Sequence, residues 1–331
     1  LSYAVLSRVL RVRWGSTSLG PSIGEDAALI DLGSCVLVAH TDPITESTFD
    51  VGRLAIDVAS NDIAVRGVRP QWALIDVLMP AGSRLSSLDA MVEGLTSEAV
   101  RLGVEIVGGH TEATPGISHP IVAVTVMGCG RHDRIVTTRG AKEGDLVFQV
   151  GPAALEATMI ITTTFRDLAV SRGISEEDLG AAASMINRIS VVDYALGLAE
   201  AGLVTSMHDA TEGGLIGAAY EVAYSSGNDI ELDASRVIIN DVTRRVALSL
   251  GIDPLKSMGS GSFIATVPQQ YKESAAELLK SLGVEFSIIG RVARRSGERP
   301  ALRVVREGST EVYTSPPEDE IARLWRCLKK P

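Results

Sequence analysis

Val104-Glu105-Ile106-Val107-Gly108-Gly109-His110-Thr111-Glu112-Ala113-Thr114-Pro115-Gly116 is the run on which the reading of this chain turns. A short apolar strand, 104–107, leads into two adjacent glycines. Beside them stand an imidazole, a hydroxyl and a carboxylate. Bare backbone lets N–H groups come close to an anion. A carboxylate next to such a loop can hold the cation that accompanies a phosphate. The same residues also suit an ordinary turn after a strand. What lies upstream bears on the choice.

Three acidic motifs upstream sit where burial disfavours them. Gly24-Glu25-Asp26-Ala27-Ala28 sets two carboxylates directly before an apolar strand, and Asp42 closes another. Asp62 lies in Ala55-Ile56-Asp57-Val58-Ala59-Ser60-Asn61-Asp62-Ile63-Ala64-Val65, a segment that is small and apolar almost all round. Such a helix is expected to be buried, and an Asn-Asp pair inside it is costly without partners. Any one of these acids alone also suits a cap or a solvated turn. Together, at the ends and interiors of buried elements, they point to a divalent cation site.

The chain has 331 residues, which favours two domains. With 45% hydrophobic residues it can fill more than one core. The net charge of −10, without a basic cluster, argues against nucleic-acid binding but not against a nucleotide carried with Mg²⁺. Cys35, Cys129 and Cys327 are far apart and odd in number, with no Cys-x-x-Cys. No disulfide framework is therefore expected, and a reducing cytoplasmic setting fits. Cys35 and Cys129 read as inert strand residues. No apolar run reaches the roughly 18 residues that span a membrane.

Residues 1–20 read as an amphipathic, flexible lead-in. Strands are expected at 27–32, 35–41, 72–78, 104–107 and 121–127, with helices at 51–66 and 86–102. Asp50 is the expected N-cap of the first helix. Gly67 and Gly103 are the expected stops. The polar, Gly-rich run 138–145 is the expected boundary. The second half reads as strands at 146–150, 204–207, 263–267 and 285–289. Its helices are expected at 153–163, 176–185, 191–201, 241–250 and 270–282, with another opening at Thr211-Glu212-Gly213-Gly214. A hairpin over 301–314 and a C-terminal helix with Trp325 end the chain. The fold class is α+β: a mixed-sheet domain over 1–138 and an α/β sandwich domain over 139–331.

Gly24-Glu25-Asp26-Ala27-Ala28, Thr41-Asp42, Asn61-Asp62-Ile63-Ala64 with Gly67 and Pro70, and Gly108-Gly109-His110-Thr111 occur in that order. They resemble the motif set of the aminoimidazole ribonucleotide (AIR) synthetase superfamily. Its members include that synthetase, thiamine-monophosphate kinase, selenophosphate synthetase and the hydrogenase maturation factor HypE. His208-Asp209-Ala210-Thr211-Glu212-Gly213-Gly214-Leu215 resembles the superfamily's aspartate-containing segment. Gly251-Ile252-Asp253-Pro254-Leu255 with Gly259-Ser260-Gly261 is most similar to HypE. The resemblance implies an AIR synthase-like fold, a homodimer formed through the N-terminal domains, and ATP with Mg²⁺ at that interface. It implies phosphoryl transfer to an oxygen or selenide of a small-molecule or peptide acceptor. Asp26, Asp42 and Asp62 would hold Mg²⁺, with Glu112 as a further ligand. Gly24, Glu25, Gly108, Gly109, Thr111, Gly213 and Gly214 would lie against the nucleotide. Asp209 and His110 would act at the reacting groups.

The departures bear on activity. His110 stands where many relatives carry Asp, and no reactive Cys with a nearby Lys precedes the first acidic motif, which argues against selenide chemistry. HypE ends on a cysteine, whereas Cys327 is followed by Leu328-Lys329-Lys330-Pro331. A non-catalytic, nucleotide-regulated maturation scaffold and a thiamine-monophosphate kinase therefore remain alternatives to an oxygen-activating enzyme. No Walker A sequence occurs, so any phosphate grip must come from metal and backbone. Gly20-Pro21-Ser22-Ile23-Gly24 fits Gly-x-Ser-x-Gly but lacks the strand–helix context of a nucleophile elbow. His208 and Asp209 are expected to face opposite ways on a strand, which favours Asp209 as the site residue.

Overall fold

A computed structural model describes residues 17–20 and 24–328. The lead-in up to residue 16 and Ser22 lie outside the described residues. Six strands form the first sheet: β1 (Thr17–Leu19), β2 (Ala28–Asp31), β3 (Val36–Ile44), β4 (Trp72–Pro80), β5 (Glu105–Thr114) and β6 (Ile121–Gly130). Their order is β1-β2-β3-β6-β4-β5. Each neighbouring pair is antiparallel except β4 with β5. β6 shows why one face is core: Val122, Val124 and Val126 are buried while the residues between them are half-buried.

Helix α1 (Val51–Ala64) lies over that face, and every residue in it except Arg53 is buried. Asp50 does not cap it as expected. It takes a left-handed conformation and its side chain makes no cap bond. Helix α2 (Leu85–Leu102) packs beside α1 through Leu95, Ala99 and Leu102. Gly103 ends α2 in the left-handed conformation, and Gly67 turns the chain after α1 with φ +74°.

The glycine run is not a loop. β5 continues through it to Thr114 and pairs with β4, setting His110 opposite Asp76 and Glu112 opposite Leu78. A bulge carries the chain past Val107, since Ile106 faces Ala73 while Gly108 faces Leu74. Gly109 then has φ +150°, and a Cβ there would meet the Ile75 carbonyl oxygen at 1.9 Å. Close approach of β4 therefore accounts for this glycine.

The second sheet contains β7 (Leu146–Val150), β8 (Ser206–Asp209), β9 (Asp229–Asp233), β10 (Phe263–Val267), β11 (Phe286–Ala293), β12 (Leu302–Arg306) and β13 (Ser309–Tyr313). Their order is β13-β12-β9-β11-β7-β10-β8. β9 was not expected; it pairs parallel with β12 and antiparallel with β11. The helices here are α3 (Leu155–Thr163), α4 (Arg166–Ser171), α5 (Glu176–Ala183), α6 (Val192–Glu200), α7 (Gly214–Ser226), α8 (Asp241–Leu250), α9 (Lys272–Ser281) and α10 (Glu320–Leu328).

The halves are packed on each other: one buried apolar cluster includes Leu54 and Ile56 of α1, Phe148 of β7 and Leu198 of α6. Asn61 fastens them. Its Nδ2 donates to the Ile189 carbonyl at 2.9 Å, and its Oδ1 accepts from the Val191 N–H at 2.8 Å. The expected partners for a buried asparagine thus come from the other half of the chain. Cys35 and Cys129, expected to be separate and inert, are joined as a disulfide with Cα atoms 6.0 Å apart. The β3–β6 register brings them together, because Leu37 faces Cys129. No helix among the described residues is long and apolar enough to cross a membrane.

Candidate functional site

Four aspartates from four parts of the fold lie near enough to one another, between the two halves, to act on each other's charge. Asp26 stands two residues before β2, Asp42 lies on β3, Asp62 is near the end of α1, and Asp209 ends β8. Burial, followed by the charges of Asp209, Asp26 and Asp42, pushes the Asp62 carboxyl well above the usual carboxylate range. Burial and then Asp26 lift Asp209 to about 8, and burial and then Glu212 lift Asp42 to about 7. Asp26 is raised by burial against the opposing pull of His208 and Arg66. These shifts describe crowded carboxylates that each disfavour charge on the others.

A cation would relieve that strain. Asp209 Oδ2 is buried and has no hydrogen-bond partner. Oxygen donors of this kind suit a hard divalent ion such as Mg²⁺. Ligand atoms of Asp26, His208 and Asp209 lie within 4.8 Å of one another. His208 is nevertheless a poor ligand. Burial would lower its pKa, but Asp26, Glu221 and Asp209 raise it to about 10. Its Nε2 sits 2.8 Å from Glu221 and 3.1 Å from Asp26, and its Nδ1 is 2.7 Å from the Asp209 carbonyl. A protonated imidazole, with Nδ1 bonded to the Asp209 carbonyl and Nε2 beside two carboxylates, balances charge and offers no lone pair. The carboxylates are the groups that could hold a metal ion, although Asp42 and Asp62 do not belong to that close group. His40 Nε2 lies 3.4 Å from Asp62, and burial lowers its pKa, so a neutral ring faces that carboxyl.

Arg66 is the other cation, and sequence reasoning missed it. Its side chain is fully buried and reaches Asp26 at 2.7 Å, Glu25 at 2.9 Å, Thr138 Oγ1 at 2.9 Å and the Met207 carbonyl at 2.5 Å. A charged residue closing an apolar helix was the available signal. Glu25, expected against the nucleotide, is instead consumed as an anchor. Arg66, Arg139 and the Thr138 N–H bind its carboxylate, which ties the first acidic motif to the turn before β7. Gly24 is also structural: with φ +72°, its Cβ would strike Ser225 Oγ at 2.5 Å, so α7 packs directly on it. His208 and Asp209 do not diverge as strand alternation suggests: His208 Nδ1 lies 3.7 Å from Asp209 Oδ1.

The remaining expected residues lie elsewhere. Gly108, Gly109, His110, Thr111 and Glu112 all sit on β5 at the sheet's far edge. Three strand spacings, roughly 14 Å, separate β5 from β3 and Asp42. Within one chain, therefore, the glycine run does not join the acids. His110 Nε2 pairs with Glu112 at 3.3 Å, and Thr114 donates to Glu112 at 2.8 Å, all on the exposed strand. At the start of α7, the Gly213 N–H donates to Asp319 at 2.8 Å and the Gly214 N–H to the Thr211 carbonyl at 3.0 Å. Protein acceptors already occupy both groups that were expected to meet a phosphate.

Comparison with known proteins agrees with this architecture. The carbamoyl dehydratase HypE of Escherichia coli is 26% identical over 295 residues, covering 84% of this chain and 83% of that protein. The selenide, water dikinase of Myxococcus xanthus is 26% identical over 318 residues, covering 87% of each. A solved structure of hydrogenase maturation protein HypE in complex with ATP superposes with a TM-score of 0.72 at 22% identity, covering 91% of this chain and 92% of that one. The N-terminal domain described as AIR synthase related protein matches residues 24–129, and the corresponding C-terminal domain matches residues 142–303. The chain has the AIR synthase-like fold and belongs to the AIR synthase related protein family.

Proposed function

We propose that this chain is an ATP- and Mg²⁺-dependent phosphoryl-transfer enzyme that activates a carbonyl, carboxamide or phosphate oxygen of a small-molecule or peptide acceptor. The observation that carries the reading is the convergence of Asp26, Asp42, Asp62 and Asp209, with Asp209 Oδ2 left unbonded. Phosphoryl transfer needs charge neutralisation and alignment more than a covalent nucleophile. When bound, Mg²⁺ supplies that neutralisation at the phosphates. Asp42 and Asp62 hold it from the first half of the chain, and Asp209 from the second. Arg66 and His208 keep Asp26 in place. Relatives that bind ATP or are named dikinases support the nucleotide assignment.

The site is composite in this reading. β5 is exposed from Glu105 to Ala113, and Leu74, Ile106 and Val107 present apolar surface there. A second copy that covers this edge brings its own Gly108, Gly109, His110 and Glu112 to the acids, which one chain cannot do for itself. The experiment is ADP release from ATP and Mg²⁺ across a panel of carboxamide, carboxylate and phosphate acceptors, including thiamine monophosphate. Acceptor-dependent turnover that Asp62→Asn abolishes is expected. Turnover that is equal in parent and Asp62→Asn contradicts the assignment.

A further inference from the structure

A cavity of about 70 Å³, partly open to solvent, adjoins the acid cluster. Asp42 of β3, Glu46 just beyond it, Glu156 of α3 and Glu212 ahead of α7 all line it, and no Lys, Arg or His does. Glu156 is only 4% exposed. The charged neighbours acting on Asp42, Glu46 and Glu156 are all acids. Glu46 Oε2 is buried without a hydrogen-bond partner. The Ser260 hydroxyl lies close enough to favour the Glu156 carboxylate but bonds to nothing at hydrogen-bond geometry. Buried carboxylates of this kind are ordinarily paired. Here the cation that would pair them is not part of the chain.

The arrangement favours an organic cation over a second metal ion. Among the described residues, three or more ligand atoms come within 4.8 Å of one another at Asp26, His208 and Asp209, not at this cavity. These acids instead line a space with room for one small planar or ammonium-sized group, with Ile160 and Met258 as apolar wall. We infer that the acceptor carries an amidinium, guanidinium or ammonium group, and that this cavity seats it beside the phosphoryl-transfer site. The inference rests on the phosphoryl-transfer reading for its neighbour but makes its own claim about charge. Asp42 joins the two, since it acts on Asp62 on one side and is acted on by Glu212 on the other.

Isothermal titration without nucleotide at pH 8.5 tests it, with acetamidinium, agmatine and neutral acetamide as probes. Acetamidinium and agmatine are expected to bind, acetamide is not, and Glu156→Gln and Glu46→Gln each weaken agmatine at least tenfold. Acetamide binding as tightly as acetamidinium overturns the inference, and that comparison needs no variant. Agmatine affinity that is unchanged in both folded variants overturns it too. So does a cavity that responds to Mg²⁺ through Glu156 and ignores agmatine. Asp62→Asn separates the two claims: it removes ATP binding if the phosphoryl-transfer reading holds, while agmatine binding persists.

Discussion

Arg66 is a single guanidinium buried between acids of one half and backbone of the other. Removing one partner of a buried ion pair leaves an uncompensated charge, which typically costs about 3–5 kcal/mol. Arg66→Met is therefore expected to lower unfolding free energy by that order, measured by urea titration. A loss below about 1 kcal/mol would mean that Asp26 and Glu25 find other partners. Glu156 gives a prediction with a definite sign. Its folded pKa, raised by burial to about 8, lies above that of the unfolded chain. Its stabilising contribution is complete below the unfolded value and is lost as pH rises through about 8. Thermal unfolding of the parent should fall between pH 5 and 8.5, and Glu156→Gln should flatten that fall. A steeper fall in the variant contradicts the assignment.

At the scale of elements, β5 is the strand whose conformation is most sharply constrained. Gly109→Ala places a methyl against the Ile75 carbonyl oxygen on a backbone with φ +150°. Strain and overpacking together make a loss of roughly 2–4 kcal/mol the expected result. Chemical denaturation measures it, and a neutral substitution would show that β4 and β5 are not paired in solution. This strand also marks where the sequence was hardest to read. Gly, His, Thr and Glu have little strand character as a run, and pairing with β4 overrides it. β9 was passed over although Asp229-Ile230-Glu231-Leu232-Asp233 alternates as a half-buried strand does, because the run is short and Asp and Glu have low strand propensity. The Cys35–Cys129 link follows from β3–β6 register across 94 residues, which spacing does not encode. By contrast, α2 and β6 were legible because their apolar periods are regular, and Gly103 stops a helix by mechanism. Asp42 and Asp62 were legible as acids in apolar surroundings. Glu156 gives the same signal within Leu155-Glu156-Ala157 and was passed over.

For the whole molecule, the exposed β5 edge and the distance from β5 to Asp42 lead to one expectation. A homodimer in solution is the expected result by light scattering, with Leu74→Glu shifting it toward monomer. Leu74 is 41% exposed in the single chain, so the substitution should spare the fold. If the site is composite, that monomer binds ATP at least tenfold more weakly; undiminished binding would confine the site to one chain. The crowded aspartates are proposed to hold a nucleotide-bound divalent cation. Calorimetric titration of ATP with and without Mg²⁺, into the parent and into Asp42→Asn and Asp62→Asn, tests it most directly. Mg²⁺-dependent binding in the parent and its loss in both variants are expected. Equal affinity and equal Mg²⁺ dependence in all three proteins would contradict it.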